Sequence, residues 1–165
     1  MTATMERIRH LPAGTGRSFT VLGDIITFKT EPKDTEGALL MFENTLPPAM
    51  GVPPHREQAA EAFYVLDGTL EVEADGEHYR LGPGDYLGLT PGVVHSLRNP
   101  GPSATRVLTF VSPGSRHARF FAEVGQPLAD GTTAAPPAAG KPDIPRLISV
   151  GRECGIEFLP PKGSP

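Results

Sequence analysis

Two Asp-Gly pairs, Asp67-Gly68 and Asp75-Gly76, cut residues 62–79 into three short runs, and no other feature constrains the fold of this chain as strongly. Asp and Gly tolerate positive φ, so each pair signals a tight turn between antiparallel strands. Residues 62–66 before the first pair are aromatic and β-branched in character (Ala-Phe-Tyr-Val-Leu). Residues 69–74 alternate, with Leu70 and Val72 on one face and Glu71 and Glu73 on the other. A period of two is the signature of a half-buried strand, so the segment predicts a three-stranded antiparallel meander.

The same signature recurs along the chain. Residues 18–30 read as one β-like stretch, and residues 38–46 as a second with Leu40, Phe42 and Leu46 on one face and Glu43 on the other. Pro47, Pro48, Pro53 and Pro54 are expected to break regular structure before His55. Residues 86–89, 93–97 and 105–112 complete the set of short strands. The 19 Gly and 19 Pro among 165 residues favour many strands and turns over a helical bundle. With 38% hydrophobic and 21% charged residues the chain is globular in composition, and the absence of an internal repeat points to one barrel.

After Ser112 the pattern changes. Ser115 is expected to cap a short helix running to Val124, with Gly125 as its terminator. Residues 126–142, rich in Ala, Pro, Gly and Thr, read as a flexible linker. Asp143 caps a second expected helix, with Ile144, Leu147, Ile148 and Gly151 along one face and Gly155 as its stop. Ile156, Phe158 and Leu159 need an apolar docking site, so the tail is expected to pack on the barrel, in cis or on a second protomer. The domain reading is therefore 1–125 as barrel, flanking strands and short helix, 126–142 as linker, and 143–165 as C-terminal helix and tail.

A net charge of -4 and the lack of any basic run argue against nucleic acid and anionic membrane as partners. The single cysteine, Cys154, excludes an intramolecular disulfide and suits a reducing compartment. No apolar run approaches the roughly 20 residues of a spanning helix, and residues 1–10 lack the apolar centre of a secretory signal. Cytoplasmic localisation is the expectation.

Two motifs carry a closer resemblance. The first is Pro-Pro-His55-Arg-Glu57-Gln-Ala-Ala-Glu61 followed by Gly68; the second runs from Gly84-Asp85 through Thr90-Pro91-Gly92 to His95 and Asn99. In spacing and order they resemble the paired motifs of the cupin superfamily. Short flanking phrases, among them Phe-Phe-Ala-Glu and Gly-Ile-Glu-Phe-Leu-Pro-Pro, resemble the quercetinase-like single-domain cupins. The chain departs from the pattern twice: Glu57 stands where a second His is usual, and Thr90 where a Pro is. The resemblance implies an all-β antiparallel jelly-roll barrel with short C-terminal helices.

It also implies a metal site. The family's ligand positions fall on His55, Glu57, Glu61 and His95, and Glu61 would also serve as catalytic base. Two imidazoles and a carboxylate suit one divalent ion, whether iron, manganese, nickel, cobalt or zinc. Glu57 either joins them, so that two carboxylates neutralise the ion, or is a solvated loop residue. Phe63, Val65 and Leu70 are expected to wall a substrate pocket, with Tyr86, Leu97 and Phe110 as further candidates. Asn99 reads as a turn anchor, Cys154 as packing, and His10, His78 and His117 as surface residues. The implied activity is a metal-dependent dioxygenase acting on a flavonol-like or polyketide-like aromatic enol. The alternatives are a non-oxygenase cupin, isomerase or cyclase, possibly without metal, and a small-molecule binding barrel. A homodimer is expected because exposed strand edges invite pairing.

Overall fold

The computed structural model describes residues 8–137 and 140–160. The strands are β1 (Ser18–Val21), β2 (Asp24–Thr30), β3 (Leu40–Leu46), β4 (Gly51–Glu57), β5 (Ala60–Asp67), β6 (Leu70–Ala74), β7 (Glu77–Leu81), β8 (Tyr86–Leu89), β9 (His95–Arg98) and β10 (Thr105–Ser112). Helix α1 (Ser115–Val124), strand β11 (Gln126–Leu128), helix α2 (Ile144–Glu153) and strand β12 (Ile156–Phe158) follow. One sheet has the order β11-β1-β2-β3-β10-β5-β8 and the other β12-β4-β9-β6-β7, every pairing antiparallel. This is the all-β two-sheet architecture of a jelly roll.

The turn signals divide into one that makes a hairpin and one that does not. At Asp75-Gly76 both residues take positive φ (48° and 89°), and β6 pairs with β7 across them. At Asp67-Gly68, by contrast, the chain leaves one sheet and enters the other: β5 pairs with β8 and β10, never with β6. The expected meander is therefore broken after its first strand. Gly68 has φ 82° and sits so close to Thr105 that an added Cβ would lie 2.6 Å from its Oγ1. Thr105 Oγ1 also donates to Thr69 O and accepts from Thr69 N, which fastens the crossing. The first β-like stretch is likewise two strands, divided at Leu22-Gly23, where both residues have positive φ (52° and 96°) and the chain turns back as a hairpin.

Pro53 and Pro54 lie inside β4 instead of before it. They fall at an irregularity in the β4–β9 register, between Val52 and His55, where the missing N–H groups interrupt no ladder bond. Asn99 anchors the turn after β9 as expected, donating to Leu46 O, Pro47 O and Ser103 O and accepting from Gly101 N.

The C-terminal elements are held in cis. Asp143 caps α2 by accepting from the Arg146 N–H, whereas α1 begins on Gly114 with no side-chain cap, so Ser115 is its first residue and not its cap. The buried stripe of α2 is Val150 and Gly151 with half-buried Leu147 and adjoining Cys154, while Ile144 and Ile148 are exposed. The stripe thus lies one step round the helix from the expected one, because α2 packs on α1 and on β12 at the edge of the second sheet. β12 extends the second sheet by pairing with β4, Phe158 opposite His55. Gln126–Leu128 pairs with β1, so the segment expected to be linker begins as a strand.

Buried apolar side chains form two clusters. One lies between the sheets and joins Leu46, Phe63, Val65, Leu70, Val72, Leu81, Leu89, Leu97 and Val107. The other joins Phe19, Ile26, Phe28, Leu40, Phe42 and Val111 to Phe120 and Phe121 of α1, Val150 of α2 and Ile156 of β12. The site lies where the two meet. No helix among the described residues is long and apolar enough to cross a membrane.

Candidate metal centre and its pocket

His55 sits near the end of β4 and pairs in register with His95 at the start of β9. Strand pairing therefore brings the two imidazoles together, with ring centroids 4.2 Å apart. Glu61 shares the inward phase of β5 with Phe63 and Val65, and its Oε2 lies 2.9 Å from His95 Nε2. All three side chains are buried.

The rings are oriented by backbone. His55 Nδ1 is 2.9 Å from Pro53 O, and His95 Nδ1 is 3.0 Å from Val93 O. A carbonyl only accepts, so each Nδ1 carries the hydrogen and each Nε2 is left as a donor of electrons toward the cavity. His95 Nε2 then faces a carboxylate oxygen at hydrogen-bond distance. Two acceptors stay that close only with a proton or a cation between them. The ligand atoms of His55, Glu61 and His95 all lie within 4.8 Å of one another, and those of Glu57, Glu61 and His117 do the same. Ligands about 2.0–2.2 Å from one ion sit up to roughly 4.3 Å apart, so each set closes onto a cation with small side-chain adjustments.

Glu57 is buried rather than solvated, and neither of its oxygens has a hydrogen-bond partner among the described residues. His117, expected at the surface, is buried as well and sends Nε2 to 3.1 Å from Glu57 Oε2. It projects from α1 on the stripe that also carries Ala118, Phe120 and Phe121, and its ring packs edge-on against Phe121 at 5.6 Å. A His on an otherwise apolar helical stripe was the signal available in the sequence. His10 and His78 are exposed as expected.

Burial dominates the electrostatics. It pushes the His55 pKa down to about 3, helped by the charge of His95, and that of His117 down to about 4. It pushes Glu61 upward, and Glu57 upward with the added repulsion of Glu61. The cavity thus disfavours every isolated charge while holding two carboxylates beside three imidazoles. A divalent ion resolves that conflict, because it neutralises the carboxylates and uses the neutral imidazole lone pairs. The donor set therefore fits a metal.

A cavity of about 80 Å³ adjoins His55, Glu61 and His117 and is walled mainly by Ile26, Phe63, Leu97, Phe120, Phe121 and Phe158. Of the expected pocket residues, Phe63 and Leu97 line it. Val65 and Leu70 are fully buried in the core between the sheets and do not reach it. Tyr86 is 64% exposed, on the outward phase of β8. Phe110 is also out of phase: Thr109 lines the cavity, so its neighbour on β10 points away. Asp24 and Asn44 line the cavity too, buried, each with an Oδ1 that has no partner among the described residues, and burial raises the Asp24 pKa to about 7.

Residues 42–111 match the cupin domain family. Over 96 residues the chain is 30% identical to quercetin 2,3-dioxygenase of Bacillus subtilis, a match covering 58% of this chain and 28% of that protein, so the chain spans little more than a quarter of its curated relative. Among solved structures, an RmlC-like cupin from Shewanella frigidimarina superposes with a TM-score of 0.57 at 16% identity, covering 67% of this chain and 95% of that one. A polyketide cyclase from Streptomyces resistomycificus superposes with a TM-score of 0.58 at 17% identity, covering 64% and 80% respectively. At those identities the structural likeness speaks for the fold.

Proposed function

Because this chain belongs to the cupin superfamily, we propose that it is a metal-dependent enzyme of the quercetinase-like dioxygenase type, acting on a small enol. The observation that carries the reading is the convergence of His55, Glu61 and His95 at one wall of an apolar cavity. The named relative adds support, within the limits of a match to part of its length.

His55, Glu61 and His95 would hold the ion, with Glu57 beside them. When bound, such an ion supplies a Lewis-acidic centre for an enolate and a route for electrons to dioxygen. The chain's own residues do the rest. Pro53 O and Val93 O fix the imidazole tautomers. Glu61, whose proton affinity is raised by burial, is suited to accept the enol hydroxyl proton at Oε2. Phe63, Leu97, Phe120 and Phe158 hold a flat apolar body and exclude water. Asp24 and Asn44 offer acceptors to a hydroxyl carried by that body. The cavity of about 80 Å³ is small beside typical ligand sites of roughly 300–1,000 Å³. A single-ring or shorter enol fits it best, and a three-ring flavonol would require the cap of α1 and β12 to open.

The test is metal content by mass spectrometry for the parent and His95→Ala, followed by oxygen uptake over a panel of small enols and flavonols. A near-stoichiometric divalent metal lost in the variant, with enol-dependent oxygen uptake, is the expected result. A parent that takes up no iron, manganese, nickel, cobalt or zinc would overturn it and turn attention to metal-free acid–base chemistry by Glu61.

A further inference from the structure

We propose that His117 is a ligand of the same cation, so that helix α1 supplies the imidazole that the first motif lacks at position 57. The inference rests on the metal-site reading above and concerns a residue outside both sequence motifs.

Glu57 occupies the position where a second imidazole is expected, on the inward phase of β4 two residues after His55. Its carboxyl group is buried, against Glu61 and His117. Leaving a carboxylate in that state is costly unless a positive charge accompanies it. The nearby side chain that could compensate, His117, arrives from a different element, with Nε2 3.1 Å from Glu57 Oε2. Packing does not require a histidine there. Its neighbours on the stripe, Ala118, Phe120 and Phe121, are apolar. The imidazole instead faces Glu57 and Glu61, and the ligand atoms of these three residues lie within 4.8 Å of one another. Glu61 belongs equally to the set formed with His55 and His95. The shared carboxylate joins the two sets, and His55, Glu61 and His117 line the same cavity, with donors arriving from β4, β5, β9 and α1.

A cation bound by these donors ties α1 to the barrel. α1 in turn carries α2, through the ion pair of Arg119 with Glu153 and the hydrogen bond from Arg146 to Glu123 O. Metal loading and the seating of the cap that closes the cavity then become one event.

The opposing possibility is that His117 only supports Glu57 from outside the ligand set. Two variants separate them: His117→Ala, and His117→Gln, which can still donate a hydrogen bond to Glu57. Circular dichroism of the metal-free variants establishes that each is folded. Pulsed EPR of the Cu(II)-loaded proteins counts coordinated imidazoles, and Co(II) titration gives affinities. The expected count is three in the parent and two in both variants, with Co(II) affinity lowered roughly tenfold or more in each. A count of two in the parent, or parent-like affinity in His117→Gln, overturns the proposal while leaving the metal site intact. Absence of binding by the parent itself overturns the metal-site reading as well, so the two failures are distinct.

Discussion

The two apolar clusters draw on similar residue types but are finished differently. The cluster between the sheets is closed: Phe63, Val65, Leu70 and Val72 are almost wholly buried, and an ionisable side chain, His95, reaches it at Phe63, on the side of the site. The cluster under the helices is capped from outside by α1, α2 and β12, and along its border with the first lie His55, Glu57, Glu61, His95, His117, Asp24 and Asn44. The difference teaches where this molecule keeps stability and where it keeps chemistry. A close-packed core tolerates no unpaired charge. Uncompensated polar groups therefore collect at a seam that a separately added cap can close over them.

Removing the cap should break the comparison most severely. A chain ending at Gly125 loses Val150, Cys154 and Ile156 from the second cluster and uncovers Phe120 and Phe158's partner surface on β4. At about 1.5–3 kcal/mol per fully buried aliphatic side chain, the loss should reach roughly 4 kcal/mol or more, read as a lower urea midpoint. An unchanged midpoint would mean that the cap contributes closure but no stability.

A paired substitution sharpens the contrast. Leu70→Ala, in the closed cluster, should cost about 3 kcal/mol. Leu97→Ala, in the same cluster but at its edge where it walls the cavity, should cost roughly 1–2 kcal/mol less, because its side chain has fewer packed neighbours to lose. Equal losses in denaturant unfolding would show the seam to be as tightly packed as the core.

Asp24 offers a contrast that pH controls. Burial raises its pKa from 3.8 to about 7, so the folded protein keeps a proton that the unfolded chain releases. Its cost to stability is absent below the unfolded value and grows as pH rises through the folded one. Asp24→Asn should therefore stabilise the metal-free protein most above pH 7, with the gain shrinking toward pH 4. A gain independent of pH would show that the carboxylate is not held protonated.

Much of the barrel was legible because its signals are local. Tight turns at Asp75-Gly76, the alternation of Leu40, Phe42 and Leu46, the Asp143 cap and the spacing of His55, Glu61 and His95 each depend on a few neighbouring residues. The errors fell where a distant partner decided the outcome. Asp67-Gly68 has the same chemistry as Asp75-Gly76, yet Thr105 and the pairing of β5 with β10 carry the chain to the other sheet. Thr109 walls the pocket and the expected Phe110 does not, because a one-residue change of phase on a strand reverses the face.

The sequence by itself determined most of the barrel strands, several of their turns and the motif donors, since backbone φ preference and side-chain period are set residue by residue. Only the tertiary structure decided which sheet each strand joined, which walls the cavity received, and that His117 meets Glu57 across 60 residues of chain. Those choices follow from burying apolar faces against one another, and a buried face selects its partner by shape and contact in space, which no short window of sequence contains.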